Sequence, residues 1–144
     1  MNTVGQILRR KGGVLYKVTP DTHVIDALHL MEEKKIGSVI VIEAGKYIGI
    51  MTERDYARKV VTKGRRSITT NVSDVMTTDL PRVTISDSVD TCMQLMSECN
   101  QRYLPVMNGE EFIGIISIMD LVKEKLIEQA HQIESLTGYI RNSY

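Results

Sequence analysis

One offset runs through this chain and limits what it can become. Thr19 and Thr84 lie 65 residues apart, as do Val24 and Val89, Leu30 and Leu95, Met31 and Met96, and Val41 and Val106. The same spacing links Ile48-Gly49-Ile50 to Ile113-Gly114-Ile115 and Asp55 to Asp120, without a gap from Val18 to Asp55. A matched glycine and a matched aspartate are poorly explained by chance alignment of apolar residues. A chain that repeats itself in this way folds as two copies of one supersecondary unit, neither of which buries a sufficient core alone. A weaker echo precedes each copy: Val4-Gly5-Gln6-Ile7-Leu8 resembles Val72-Ser73-Asp74-Val75-Met76.

Each copy carries the same inner pattern. Val18 and Val83 end a short extended stretch. Turn and cap residues follow, with Asp21, Thr22 and Asp87 as the expected helix N-caps. The next segment puts Val24, Leu28 and Met31 on one helical face, matched by Val89, Met93 and Met96. Two strands come next, Ser38–Ile42 and Tyr47–Met51, repeated as Tyr103–Met107 and Phe112–Ile116. Thr52 and Ser117 open the last helix of each copy. The order is β-α-β-β-α, twice. The fold class expected is α+β or α/β: two such repeats about a pseudo-twofold axis, with small sheets covered by helices. Pro105 places its strand at an edge, or delays the strand's start until after it. The domains are expected at 1–66, the first repeat with an N-terminal segment; 67–127, the second repeat; and 128–144, a helical extension carrying Ile133, Leu136 and Ile140.

Composition excludes several function classes. Lys+Arg and Asp+Glu number 18 each, so no global charge attracts nucleic acid or an acidic membrane surface. The basic stretch Arg58, Lys59, Lys63, Arg65 and Arg66 reads as a solvated helix end. The apolar runs are too short to span a bilayer, and the first residues lack a signal-peptide pattern, so a cytoplasmic location is expected. Cys92 and Cys99, on one predicted helix and about 10 Å apart along it, cannot pair with each other. His23, His29 and His131 are scattered and form no zinc pattern, so no metal is expected. No Walker loop, Rossmann glycine string or nucleophile elbow occurs, and the chain is not expected to be an enzyme.

The repeated closing strings are Gly49-Ile50-Met51-Thr52-Glu53-Arg54-Asp55 and Gly114-Ile115-Ile116-Ser117-Ile118-Met119-Asp120. In this order and number they resemble a tandem CBS domain pair of the stand-alone bacterial type, over about Val4 to Leu126. Arg102-Tyr103-Leu104-Pro105-Val106 also resembles that family's middle strand. The resemblance implies a non-catalytic regulatory module that binds an adenine nucleotide in clefts between the repeats. AMP comes first among the ligands, with ATP, NAD or S-adenosylmethionine as others. It also implies a homodimer and an unidentified regulated protein. The alternative is a structural dimerisation module that binds no ligand.

The residue chemistry agrees with a nucleotide. A carboxylate accepts both ribose hydroxyls, and a hydroxyl at a helix start faces an anion. Thr52 with Asp55 and Ser117 with Asp120 fit this description. They fit a plain capping box equally well. The resemblance places Thr19, Asp21 and Thr84 against ribose and adenine, and the adenine between Val39 in one copy and Leu104 and Pro105 in the other, with Ser38 and Tyr103 also in the ligand site; these strand residues also read as plain core, and for Val39 alone core is the better reading. Arg102 would reach phosphate in the second copy, and its counterpart in the first is Gly37; Arg54 would do so in the first, and its counterpart in the second is Met119.

Overall fold

The computed structural model describes residues 2–143, with side chains through Arg141. The elements are α1 (Val4–Lys11), β1 (Lys17–Val18), α2 (Val24–Lys34), β2 (Ser38–Glu43), β3 (Lys46–Thr52), α3 (Glu53–Tyr56), α4 (Val89–Cys99), β4 (Tyr103–Asn108), β5 (Glu111–Ser117) and α5 (Ile118–Ser143). A π-helical turn, Ala57–Val61, continues α3.

The chain divides into two compact units, Val14–Leu80 and the residues up to Gly13 together with those from Pro81 onward. This division differs from the expected boundary at residue 66. Helix α1 precedes the first repeat but packs in the unit of the second, and residues 67–80 close the unit of the first. The echo between residues 4–8 and 72–76 accounts for the exchange. Val4 and Val72 are fully buried, each in a separate core, and Ile7 and Val75 lie beside them. Each echo segment fills the same place, one in each unit.

In the first-repeat unit, β1 pairs parallel with β2, and β2 pairs antiparallel with β3. Ala44 and Gly45, both at positive φ, make the two-residue turn of that hairpin. In the second-repeat unit β4 and β5 form the matching hairpin, with Gly109 alone at positive φ. Both hairpins shift register at equivalent places, Val41/Ile42 and Val106/Met107. The helix ends repeat as well. Lys35 closes α2 and Asn100 closes α4, both in the left-handed conformation. Asn tolerates that conformation more readily than Lys.

One expectation is corrected. The N-caps fall on His23 and Ser88, one residue or more beyond the expected Asp21, Thr22 and Asp87. Asp87 instead accepts the Thr84 N–H at 2.7 Å, and the Thr22 hydroxyl accepts the Thr19 N–H at 3.1 Å, so these residues build the preceding turns. Pro105 lies inside β4, and β4 is an edge strand of the two-stranded sheet, as expected, with β5 on one side and the isolated bridge from Val83 on the other. Its counterpart Ile40 donates its N–H to the Tyr16 carbonyl at 3.0 Å. Proline has no such donor. Parallel pairing in the second unit therefore shrinks to the single bridge Val83–Val106.

The matched glycines have a packing cause. A Cβ on Gly49 would stand 2.8 Å from the Thr77 carbonyl oxygen, because residues 76–78 lie against β3 and Thr77 exchanges backbone hydrogen bonds with Ile50. A Cβ on Gly114 would stand 2.9 Å from Leu8 Cδ2. Backbone held by two hydrogen bonds cannot yield, whereas the end of a leucine can. Gly49→Ala is expected to cost about 2–3 kcal/mol and Gly114→Ala about 1 kcal/mol, within the range for overpacking. Urea unfolding of the two variants checks the order; equal losses would remove the Thr77 contact as the cause.

Of the two free cysteines, Cys92 is buried in the second core. Burial, and then the charge of Asp87, push its thiol up to about 11. It behaves as a small apolar side chain.

Candidate strand-to-helix corner sites

In each unit the chain leaves the second hairpin strand and enters a helix through one corner. The Glu53 N–H donates to the Gly37 carbonyl at 3.1 Å, and the equivalent Ile118 N–H donates to the Arg102 carbonyl at 2.9 Å. Across each hairpin Ser38 faces Thr52 and Tyr103 faces Ser117. Thus the first corner gathers Ser38, Thr52, Arg54 and Asp55. The second gathers Arg102, Tyr103, Ser117 and Asp120.

Both corners are reciprocal caps. The Thr52 N–H donates to Asp55 Oδ2 at 2.9 Å, and the Asp55 N–H returns to Thr52 Oγ1 at 3.1 Å. The Ser117 N–H donates to Asp120 Oδ2 at 2.8 Å, and the Asp120 N–H returns to Ser117 Oγ at 3.1 Å. The capping geometry is present at both copies.

Beyond the caps the corners diverge. Asp55 is buried, and both its oxygens are engaged. Oδ2 also accepts the Thr52 hydroxyl, while Oδ1 accepts the Thr77 hydroxyl at 2.9 Å and pairs with Lys59 Nζ at 3.0 Å. Lys59 donates further to the Val75 carbonyl at 3.0 Å. This network ties residues 75–77 to the first corner. Asp120 is more open, its side chain 15% exposed against 8% for Asp55. Its second partner is Lys11 Nζ at 2.8 Å, which also donates to the Ile115 carbonyl. Arg102 is exposed at this corner.

The remaining expected site residues lie elsewhere. Val39 and Leu104 belong to the two hydrophobic cores at 1% and 0% exposure, and Pro105 is buried beside Leu104. Side chains so enclosed form core. Thr19 and Asp21 follow β1, which pairs with Ile40 and Val41, while Thr52 faces Ser38. Four residues of strand, about 13 Å, separate those two groups within the first unit. Thr84 and Ser117 are parted in the same way about β4. The Thr19 hydroxyl donates to Asp21, which holds that carboxyl below its ordinary range, and Thr84 is tied to Asp87 and Ser86. These residues shape turns.

Sequence reasoning missed Thr77, Lys59 and Lys11 as partners of the two aspartates. Lys59 follows Asp55 by four residues, a spacing that brings side chains together on a helix. Thr77 and Lys11 come from the exchanged echo segments and carry no local signal.

The sequence model of the CBS domain family matches residues 4–62 and again 72–126. The chain belongs to the CBS-domain family. This CBS pair is 32% identical over 151 residues to a mitochondrial CBS domain-containing protein of Arabidopsis thaliana, covering 99% of this chain and 73% of that protein. It is similar in structure to a CBS-domain protein from Burkholderia ambifaria, at TM-score 0.84 and 46% identity, over 89% of this chain and 96% of the other. A hexameric CBS-CP12 protein from bloom-forming cyanobacteria aligns at TM-score 0.74 and 29% identity, over 85% of this chain and 70% of that one. CBS proteins therefore include oligomers. Among the described residues of this pair, no helix is long and apolar enough to cross a membrane.

Proposed function

We propose that this CBS pair is a non-catalytic regulatory module of the cytoplasm that binds an adenine nucleotide, AMP before ATP, NAD or S-adenosylmethionine. The observation that carries this reading is the second corner. There a half-buried carboxylate, Asp120, stands beside the Ser117 hydroxyl at the start of α5, and the backbone of the exposed Arg102 joins the same corner through its carbonyl. Asp120 accepts the ribose hydroxyls, and Arg102 pairs with phosphate. The first corner is assigned a structural part, because a ribose there would have to displace Thr77 or Lys59 from Asp55.

Thermal unfolding with added nucleotide tests the proposal. A ligand at about 100 times its dissociation constant adds about 2.7 kcal/mol. AMP is expected to raise the melting temperature and an equal concentration of inorganic phosphate to leave it unchanged. No shift with any of the four adenine compounds would favour the ligand-free assembly reading.

A second copy of this chain is the proposed partner of α5. Met119, Leu126, Ile133 and Ile140 recur every seven residues, with Val122 and Leu136 at the intervening d positions, and all six are exposed. That spacing is the seam of a coiled coil, which pairs best with a copy of itself. An unidentified regulated protein would then read the assembled dimer.

A further inference from the structure

Apart from the corners, the second-repeat unit holds a cavity of about 370 Å³ between the last turn of α1 and the first turns of α5. Ile7 and Ile127 form its apolar walls, and its polar lining is Arg10, Lys11, Asp120, Lys123 and Glu124. The volume lies at the small end of the range for sites that take small molecules.

Glu124 makes the cavity more than a dent between helices. The residue is 2% exposed. Its Oε2 is held by Arg10 Nη1 at 2.7 Å. Its Oε1 is buried without a hydrogen-bond partner among the described residues. A buried acceptor left without a donor costs free energy that a well-packed site avoids. An ionised carboxylate only accepts, so whatever completes it must donate. The lining also has a charge surplus: three cations stand against two carboxylates. Arg10 pairs with Glu124 and Lys11 with Asp120, while Lys123 is exposed and has no carboxylate partner among the described residues.

We infer that this cavity binds a small hydroxylated anion, with a hydroxyl donating to Glu124 Oε1 and the anionic group paired with Lys123. The hydroxyl completes the orphan acceptor without adding charge beside Arg10. A negatively charged group offsets the surplus. Two sources carry this chemistry: a free sugar phosphate, or the ribose-phosphate end of a nucleotide. The cavity shares Asp120 with the corner proposed above, but the inference stands on Glu124 and Lys123.

Calorimetric titration of the full chain with ribose 5-phosphate and, separately, with AMP tests it in the wild type, Glu124→Gln and Lys123→Ala. Gln keeps an acceptor for Arg10 and turns an amide N–H₂ toward the cavity, so a ligand hydroxyl loses its acceptor. Lys123 is exposed, and Lys123→Ala is expected to keep the wild-type melting temperature, which separates lost binding from lost folding. Each substitution is expected to weaken the ligand about tenfold or more. Ribose 5-phosphate responding in this way identifies a free sugar phosphate as the source. AMP responding alone identifies the nucleotide's ribose-phosphate end. Both variants binding at wild-type affinity every ligand that the wild type binds, or no binding of either ligand to the wild type, would overturn the inference. With ribose 5-phosphate unbound, AMP binding that ignores Glu124 and Lys123 yet fails in Asp120→Asn would overturn it while leaving the nucleotide proposal standing.

Discussion

Ile133→Glu combined with Leu136→Glu is expected to turn a dimer of this chain into a monomer, raising the dissociation constant about a thousandfold or more, or about 4 kcal/mol. The argument begins with what α5 leaves uncovered. Leu121 and Glu124 are its buried residues, and both lie in its first two turns. Residues 129–137 are all exposed. The family match ends at residue 126, so the remainder of α5 is an addition to the repeated unit. A helix with no packed face has little to hold it in water, since helical stability in proteins comes mainly from burying an amphipathic face. Yet the apolar residues here keep one register through the family part, Met119, Val122 and Leu126, and into the extension, Ile133, Leu136 and Ile140. A seven-residue period held across that boundary is what a two-helix seam requires, and a single globular core does not require it. Gln129 is the one polar side chain among these seam positions, a device that fixes register at some cost in stability.

Each Glu substitution removes a buried apolar side chain from both copies and places two carboxylates in the seam. Four lost side chains at about 1–1.5 kcal/mol each, a discounted share of full burial, account for the expected shift. His131→Glu, on the outer face of the same helix, serves as the control and is expected to leave the assembly unchanged. Sedimentation at micromolar concentration reads both. A wild type that sediments as a monomer would remove the partner, and a double variant that stays dimeric would move the interface off α5.

Much of this architecture was legible because repetition doubles every signal. Gly-apolar-apolar-hydroxyl-x-x-Asp occurs twice, and in both places it became strand, corner and helix. Each of the paired turns, Ala44-Gly45 and Gly109-Glu110, holds a glycine that tolerates positive φ, whereas Ala44 takes positive φ without that freedom. The exchange of echo segments was not legible in this way. Residues 4–8 and 72–76 are similar enough to suit either sheet, and nothing local records that α1 fills the second unit. The partners of the aspartates were hidden for the same reason, because Lys11 and Thr77 arrive with those segments. Val39 and Leu104 illustrate another limit. Strand periodicity shows that a side chain is turned inward, but does not distinguish a core from a ligand wall. Pro105 marks an edge strand because proline has no N–H to donate, and β4 is one. Here the missing donor faces a neighbour reduced to one bridge, so the strand tolerates it.

The two matched aspartates should part company when mutated. Asp55→Ala is expected to lower stability by about 2–3 kcal/mol and to leave nucleotide affinity unchanged. Removing that carboxylate strands the Thr52 N–H, the Thr77 hydroxyl and Lys59 around an empty site. Breaking a buried pair costs about 3–5 kcal/mol, less here because the Lys59 side chain is 40% exposed and water can reach it. Asp120→Asn acts the other way. Asn keeps a side-chain oxygen that accepts the Ser117 N–H, as an amide does in a capping box, and the lost pair with Lys11 is partly solvated, with side chains 35% and 15% exposed. The melting temperature of that variant without ligand should move little. The amide has one acceptor oxygen and no charge, so the two-hydroxyl contact to ribose fails, and AMP affinity should fall by about 1.5–3 kcal/mol. Calorimetry and thermal unfolding on both variants give four readings that must fall in this crossed pattern. Wild-type AMP affinity in Asp120→Asn removes the ribose from the second corner. Loss of AMP binding in a folded Asp55→Ala, with Asp120→Asn unaffected, would place the ligand at the first corner, where Thr77 and Lys59 would have to release the carboxylate each time a nucleotide entered.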